Sequence, residues 1–259
     1  MPVIQKRDQL IKQWIKETAE MIEEAKEKSL EVEEKSARND LVTNMDKKIE
    51  EVLTDKIRSH FPDDRICGEE GFGDDLEDLK GTIWFIDPID GTLNFVLQQE
   101  NFAVMIAVYE EGEGVQGYIY NVTEEKLYHA IKGQGVFCNG QPVSAPENKS
   151  LSDGLMATNS QLMTQDAFSD YRKIAGRSMG VRMLGSAGLE VTELIKGNII
   201  AYVATKLSPW DIAPGKLMLE EFGFKISNFS GEPVDLLKSN QTIFATPSAY
   251  DEIVTANLK

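Results

Sequence analysis

Apolar positions near the start of the chain recur at helical spacing: Leu10, Ile11, Trp14, Ile15, Met21, Ile22 and Ala25, with lysines and acids between them. The pattern predicts a long amphipathic first helix whose apolar stripe belongs to the core. A second stripe, Ile49, Val52, Leu53 and Ile57, predicts another helix. The segment from Lys35 to Asp46 ahead of it reads as a polar loop, a short strand and a cap supplied by Asp46. The period then changes. Short β-branched and aromatic runs at Thr82–Ile86, Phe102–Tyr109, Gly114–Asn121, Lys126–Ile131 and Val136–Cys138 predict strands, with Glu113-Gly114 and Asn139-Gly140 as turn pairs. Such close spacing implies antiparallel pairing. Ile83 to Ile86 is apolar throughout, so that strand should be covered on both faces, and Pro88 with Gly91 should end it.

Beyond about residue 146 strands and helices alternate, with Leu155–Thr158, Val181–Leu184 and Ile199–Ala204 as strands and Ala187–Lys196 and Ala213–Phe222 as helices. The expected fold class is therefore α/β, an α+β half over residues 1–145 joined to an α/β half over 146–259. No flexible linker separates the halves, so one cooperative unit is expected, and 259 residues suffice for a substantial core.

Charge narrows the classes of function. The net charge is −16, and the 27 basic residues are scattered, which argues against nucleic acid and against an anionic membrane surface as main partners. Met1 to Trp14 is too polar for a signal peptide and Phe102–Tyr109 too short to span a bilayer. Two cysteines, Cys67 and Cys138, make no disulfide framework, and a reducing cytoplasm fits best. His60 and His129 lack partners spaced for zinc or for a Ser-His-Asp system and read as structural or surface residues.

The chemistry concentrates in Asp87-Pro88-Ile89-Asp90-Gly91-Thr92, directly after the buried strand. Two carboxylates crowded at a core edge repel unless a cation neutralises them, and Mg²⁺ prefers such hard oxygen ligands. Thr92-Leu93-Asn94-Phe95 opens a helical turn whose free N–H groups, from Gly91 and Thr92, suit a phosphate. An isolated Asp-Gly is an ordinary turn pair, and 43 acids make nearby aspartates common. The succession of strand, proline, spaced carboxylates, glycine and hydroxyl favours function. Gly68-Glu69-Glu70-Gly71 delivers further carboxylates to a glycine-flanked loop. Asp211, near the start of the helix holding Leu217, Met218 and Phe222, serves by itself equally as a helix cap.

Together these segments resemble the inositol monophosphatase family of Mg²⁺-dependent, lithium-sensitive phosphatases, in that family's order. Trp84 to Phe95 is similar to its first signature and Trp210 to Gly215 to its second. Gly68-Glu69-Glu70, Asp40 to Asp46, Gly133 to Gly140 and Arg182 to Ala187 accompany them, so the likeness spans roughly residues 35 to 215. The resemblance implies a layered α-β-α-β-α sandwich, as in inositol monophosphatase and fructose-1,6-bisphosphatase. It implies that Glu69, Asp87 and the carbonyl of Ile89 hold one Mg²⁺, that Asp87, Asp90 and Asp211 hold a second, and that a third, weaker ion leans on Glu69 through water. It further implies that Thr92 and Glu69 orient the attacking water with Asp46 behind Thr92, that Gly91 and Thr92 grip the phosphate, and that Asp90, Gly185, Ser186, Ala187 and position 204 face the substrate. A homodimer is the common assembly of the family.

Two positions depart from the pattern. The acid that animal members place seven residues before the second-signature aspartate, where it contacts inositol hydroxyls, is Ala204 here; Gly188 stands where a second alanine is usual and predicts more room or flexibility at the substrate wall. Inositol monophosphate remains the first expectation. The 2′-phosphate of NADP(H), fructose-1,6-bisphosphate and 3′-phosphoadenosine nucleotides are alternatives, since losing the acid favours a larger or anionic substrate. A non-catalytic regulatory or interaction protein on the same fold is the rival from another class, and the complete set Glu69, Asp87, Asp90 and Asp211 speaks against it. A Ca²⁺-binding module fits poorly, because no EF-hand spacing is present.

Overall fold

The computed structural model describes residues 2–26, 32–34 and 41–257; the polar loop read over residues 35–40 lies outside them. The first apolar stripe forms α1 (Val3–Lys26), burying Ile11, Trp14, Ile15 and Ile22. Strands β1 (Val32–Glu34) and β2 (Leu41–Thr43) pair as an antiparallel ribbon and lead into α2 (Asn44–His60). The cap of α2 is Thr43, not Asp46. The Thr43 hydroxyl accepts the N–H groups of Met45 and Asp46, and the Asp46 carboxylate receives the Thr43 N–H at 2.8 Å. Asp46 is thus the returning half of a capping box, three residues beyond the cap.

One sheet has seven strands in chain order: β3 (Arg65–Gly68), β4 (Thr82–Asp90), β5 (Ala103–Glu110), β6 (Glu113–Asn121), β7 (Lys126–Ile131), β8 (Val136–Cys138) and β9 (Gln141–Pro142), with α3 (Thr92–Gln98) between β4 and β5. Only β3 and β4 are parallel; the other pairs are antiparallel, as the close spacing predicts. Two expectations need correction. Pro88 does not end β4, which runs to Asp90, because the register shifts between Asp87 and Asp90 and the proline sits in that irregularity where no ladder donor is needed. The β5–β6 turn uses Glu111 and Gly112, both at positive φ, rather than Glu113-Gly114, which belongs to β6. Asn139-Gly140 forms the expected tight turn, again with both φ positive.

The second sheet is built from β10 (Leu155–Thr158), β11 (Gly180–Arg182), β12 (Ala201–Leu207), β13 (Lys225–Asn228) and β14 (Asn240–Ala245), in the order β11-β10-β12-β14-β13. Its first three strands are parallel and its last two antiparallel. Helices α4 (Ser160–Thr164), α5 (Ser169–Ala175), α6 (Ala187–Ile195), α7 (Pro209–Glu221) and α8 (Pro247–Asn257) alternate with it.

Five layers result. Helices α1 and α2 cover one face of the seven-stranded sheet through Trp14, Ile49, Leu53, Trp84, Ile106 and Val108. The other face, with Phe85, Met105 and Tyr109, packs on α6 and α7 through Leu189, Val191, Leu217 and Met218, which also meet Tyr202 and Phe244 of the second sheet. Helices α5 and α8 close the far side around Met156, Val203, Ile243, Tyr171 and Ile253. Along β5, odd and even residues serve opposite faces, which explains an apolar run without alternation: both sides are covered. Helix α7 lies close against this sheet. The Tyr109 hydroxyl donates to the Ala213 carbonyl at 3.0 Å, and a Cβ on Gly117 would meet the Pro214 carbonyl at 2.7 Å. That close approach brings Asp211 over the end of β4.

Candidate active site

Three carboxylates converge where β4 ends and α7 begins: one oxygen each of Asp87, Asp90 and Asp211 lies within 4.8 Å of the others. Asp87 and Asp90 come from the irregular end of β4, and Asp211 from the third position of α7. Ser208 caps that helix, and the Asp211 carboxylate accepts the Ser208 N–H at 2.7 Å. Burial is the first cause of perturbation at all three. It pushes Asp87 well above the ordinary carboxylate range, assisted by the charges of Glu69, Asp90 and Asp211. Asp211 rises to about 8 through burial and then the charges of Asp90 and Glu69. Asp90 rises to about 6, held back by hydrogen bonds. Nothing cationic contacts these groups among the described residues, so the cluster has the donor chemistry of a divalent-cation site: hard oxygens, crowded and uncompensated.

Asp90 ties the cluster to α6. Its carboxylate accepts the Ser186 hydroxyl and the N–H groups of Ala187 at 2.9 Å and Gly188 at 2.7 Å. Free N–H groups of a first helical turn stabilise the anion there. The Leu184–Ser186 loop in front of α6 is pinned on both sides: the Leu184 N–H donates to Glu190 at 2.6 Å, and the Asn94 amide donates to the Leu184 carbonyl at 2.7 Å. Gly91 starts α3 at φ 94°, where a Cβ would meet the Asn101 carbonyl and Ser186 Cβ at 3.2 Å, so only glycine fits this turn.

Thr92 donates to the Asp46 carboxylate at 3.0 Å and stands 3.1 Å from the Ile89 carbonyl. Burial raises the Asp46 carboxyl, while hydrogen bonds from Thr43 and Thr92 oppose the rise. Glu69 enters the same site from the loop after β3, and its charge raises Asp87, Asp90 and Asp211 alike. That loop is organised by a residue the sequence reading did not single out. The fully buried Glu50 of α2 accepts the N–H groups of Glu70 at 2.7 Å and Phe72 at 3.0 Å. Glu190 was also missed: burial lifts its carboxyl to about 7, and its second oxygen is enclosed without a hydrogen-bond partner. An acid placed among apolar helix positions was the available signal in each case.

A cavity of about 560 Å³ opens over the cluster. Glu69, Asp87, Ile89, Asp90, Gly91, Thr92, Gly185, Ser186, Ala187 and Asp211 all line it, while Asp46 stands behind Thr92. Ala204 does not line it. It is fully buried in the core between the sheets, on the face of β12 that it shares with Tyr202 by regular alternation; Tyr202, Lys206 and Leu207 line the wall instead. The extra room expected at Gly188 is absent as well, since Met105 Sδ, Asp90 and Ile119 fill the space that a Cβ would take.

His129 is buried and stacked between Tyr118 and Phe137, and burial lowers it to about 4. Both cysteines are free; burial pushes Cys67 up to about 11, so it is an unreactive thiol at neutral pH. No helix among the described residues is long and apolar enough to cross a membrane.

Comparison with known proteins places this geometry. Residues 4–259 match the model described as the inositol monophosphatase family. The chain is 40% identical over 249 residues to an inositol-1-monophosphatase of Bacillus subtilis (strain 168), covering 95% of this chain and 94% of that protein. It is 34% identical over 223 residues to a fructose-1,6-bisphosphatase/inositol-1-monophosphatase of Thermotoga maritima, covering 86% and 84%. Among solved structures, an IMPase/NADP phosphatase complexed with NADP and Ca²⁺ superposes with a TM-score of 0.92 at 31% identity, covering 99% of this chain and 96% of that one.

Proposed function

The chain belongs to the inositol monophosphatase family and is a phosphatase of that kind, and from this premise we propose that it is a Mg²⁺-dependent phosphomonoesterase acting on inositol monophosphate. The observation that carries the reading is the convergence of the Asp87, Asp90 and Asp211 carboxylates at the floor of a cavity that Glu69 and Thr92 also line. These residues fit the cation. Glu69, Asp87 and the Ile89 carbonyl would hold one Mg²⁺ and Asp87, Asp90 and Asp211 another, with a third leaning on Glu69. Bound there, Mg²⁺ supplies Lewis acidity at phosphorus and offsets the repulsion between substrate and protein.

The chain's own residues supply orientation. With its proton held by Asp46, the Thr92 hydroxyl keeps lone pairs free to accept a hydrogen bond from the attacking water, which Glu69 receives from the other side. The Gly91 and Thr92 N–H groups hold the phosphate, and the Gly185–Ala187 wall faces the rest of the substrate. Neither histidine nor cysteine takes part. Lithium sensitivity, a homodimeric assembly and a cytoplasmic location belong to the same reading.

A second substrate class, with the NADP(H) 2′-phosphate foremost and fructose-1,6-bisphosphate and 3′-phosphoadenosine nucleotides beside it, is favoured by one observation. The position where animal relatives hold an acid is Ala204, buried in the core and off the cavity wall, so no carboxylate meets substrate hydroxyls from there.

The deciding experiment measures phosphate release from inositol-1-phosphate, NADP⁺, fructose-1,6-bisphosphate and 3′-phosphoadenosine-5′-phosphate, with and without Mg²⁺, for the intact chain and for Asp87→Asn. We expect Mg²⁺-dependent turnover, with inositol-1-phosphate highest in kcat/KM, and its near loss in the variant. Equal rates for the two proteins would end the phosphatase reading, and a different ranking would replace the substrate alone.

A further inference from the structure

Five carboxylates line the cavity, from Glu69, Asp87, Asp90, Glu190 and Asp211, and among its lining residues stands a single cation, Lys206. Lys206 is exposed and has no ion-pair partner among the described residues, although the chain carries 43 acids to 27 bases. Most lysines described here are neutralised by a nearby acid, such as Lys196 with Glu193 or Lys216 with Glu220. Lys206 is therefore an uncompensated charge at the mouth of a site that handles anions.

Its placement is built into the backbone. Between Ala204 and Leu207 the register of β12 against β14 shifts, so three steps on β12 oppose two on β14. The extra residue breaks the alternation. Tyr202, Ala204 and Leu207 all join the core between the sheets, the first and last also bordering the cavity, while Lys206 is exposed on the cavity wall. The irregularity is fastened to β10 by Asn159, whose amide donates to the Thr205 hydroxyl at 3.0 Å. Asn159, Thr158, Ser160 and Gln161 line the same wall and offer neutral hydrogen-bonding groups beside the ammonium. The irregular step thus leaves one ammonium, suited to an anion, on the wall of a site that offers no acid at position 204. The cavity, at about 560 Å³, is mid-range for a small-molecule site and has room beyond the phosphate that is hydrolysed.

We propose that Lys206 sets which further substrates the site accepts beside inositol monophosphate, by binding a second anionic group where a substrate carries one, a phosphate or pyrophosphate remote from the phosphoryl group that is removed. This rests on the phosphatase reading above and names the substrate class that the site prefers to discriminate. Lys206 is not part of the hydrolytic machinery.

The test compares the intact chain with Lys206→Ala, Lys206→Glu and Lys206→Arg at one Mg²⁺ concentration, using inositol-1-phosphate, fructose-1,6-bisphosphate and NADP⁺ as probes and reading KM and kcat separately. For at least one of the two doubly anionic probes, Lys206→Ala should raise KM roughly five- to tenfold, as expected for a lost charge-assisted contact. Lys206→Glu should raise it further, and Lys206→Arg should restore it. With inositol-1-phosphate, KM should stay within about twofold, and kcat should hold for every probe. Added salt should raise the KM of the intact chain toward that of Lys206→Ala. Equal changes for singly and doubly anionic probes, or none for any, would overturn the proposal while turnover of inositol-1-phosphate left the phosphatase reading intact. Failure of the intact chain to hydrolyse any of the three would remove both.

Discussion

The hydroxyl of Thr92 lies 3.0 Å from the carboxylate of Asp46, a residue 46 positions earlier that also closes the capping box of α2. One buried side chain thereby joins the entry of a helix to the wall of the site. Asp46→Asn keeps the shape but leaves one acceptor oxygen where three donors meet two, the N–H and hydroxyl of Thr43 and the hydroxyl of Thr92. We expect a fall in kcat of about ten- to a hundredfold, with the Mg²⁺ dependence of the rate little changed, and a loss of about 1–2 kcal/mol in unfolding free energy from the damaged cap. Thr92→Val should lower kcat without the stability loss, and the double variant should be no slower than the worse single one. Additive losses in kcat would show that the two residues act separately.

The aspartate cluster sets a pH dependence of stability. Asp90 and Asp211 bind protons more tightly in the folded chain, at about 6 and about 8, than in the unfolded chain, where aspartate titrates near 4. The folded state therefore holds extra protons between those values, and stability falls as pH rises from about 4 toward 8. In chelator, the melting temperature should be lower at pH 8 than at pH 5. Mg²⁺ should raise it strongly at pH 8 and little at pH 5, where protons already occupy the cluster. Asp211→Asn should flatten the chelated profile. A chelated protein that melts higher at pH 8 than at pH 5 would contradict this account.

Gly188 is a packing position. A Cβ there would lie 2.5 Å from Met105 Sδ, 3.0 Å from Asp90 Oδ2 and 3.1 Å from Ile119 Cγ2. Gly188→Ala should destabilise the protein by about 1–3 kcal/mol, the usual penalty of overpacking, and weaken Mg²⁺ binding because Asp90 must yield. Shortening the obstructing side chain in the double variant Met105→Ala/Gly188→Ala should recover part of the loss relative to the sum of the single changes. Thermal melts with and without Mg²⁺ measure both effects, and strict additivity would argue against the contact.

Much of the fold and site was legible along the chain, for a local reason. Periodicity marks which faces are buried, so α1 and α2 could be located, and strands β5 to β8 placed close to their observed bounds, from their apolar positions alone, while β4 runs four residues past the end expected for it. The strands β13 and β14 and the helix α8 carry weaker local patterns and were not read. Caps and turns were misassigned by a few residues because several polar side chains compete for each: Thr43 caps α2 where Asp46 was expected, and Glu111-Gly112 turns where Glu113-Gly114 was expected. Pro88 shows the limit of a local rule, since a break in register removed the need for its missing N–H.

The order of residues by itself determined the chemistry on offer: carboxylates at the end of a buried strand, a glycine and a threonine after them, and an aspartate at the head of a later helix. Those are properties of adjacent residues and of hydrophobic period. Only the tertiary structure decided what that chemistry faces. The close packing of α7 on the seven-stranded sheet brings Asp211 to Asp87 and Asp90; regular alternation along β12 keeps Ala204 in the core, and the irregular step after it leaves Lys206 on the cavity wall. Register and helix approach are settled by burial across many distant residues, and no short stretch of the chain encodes them.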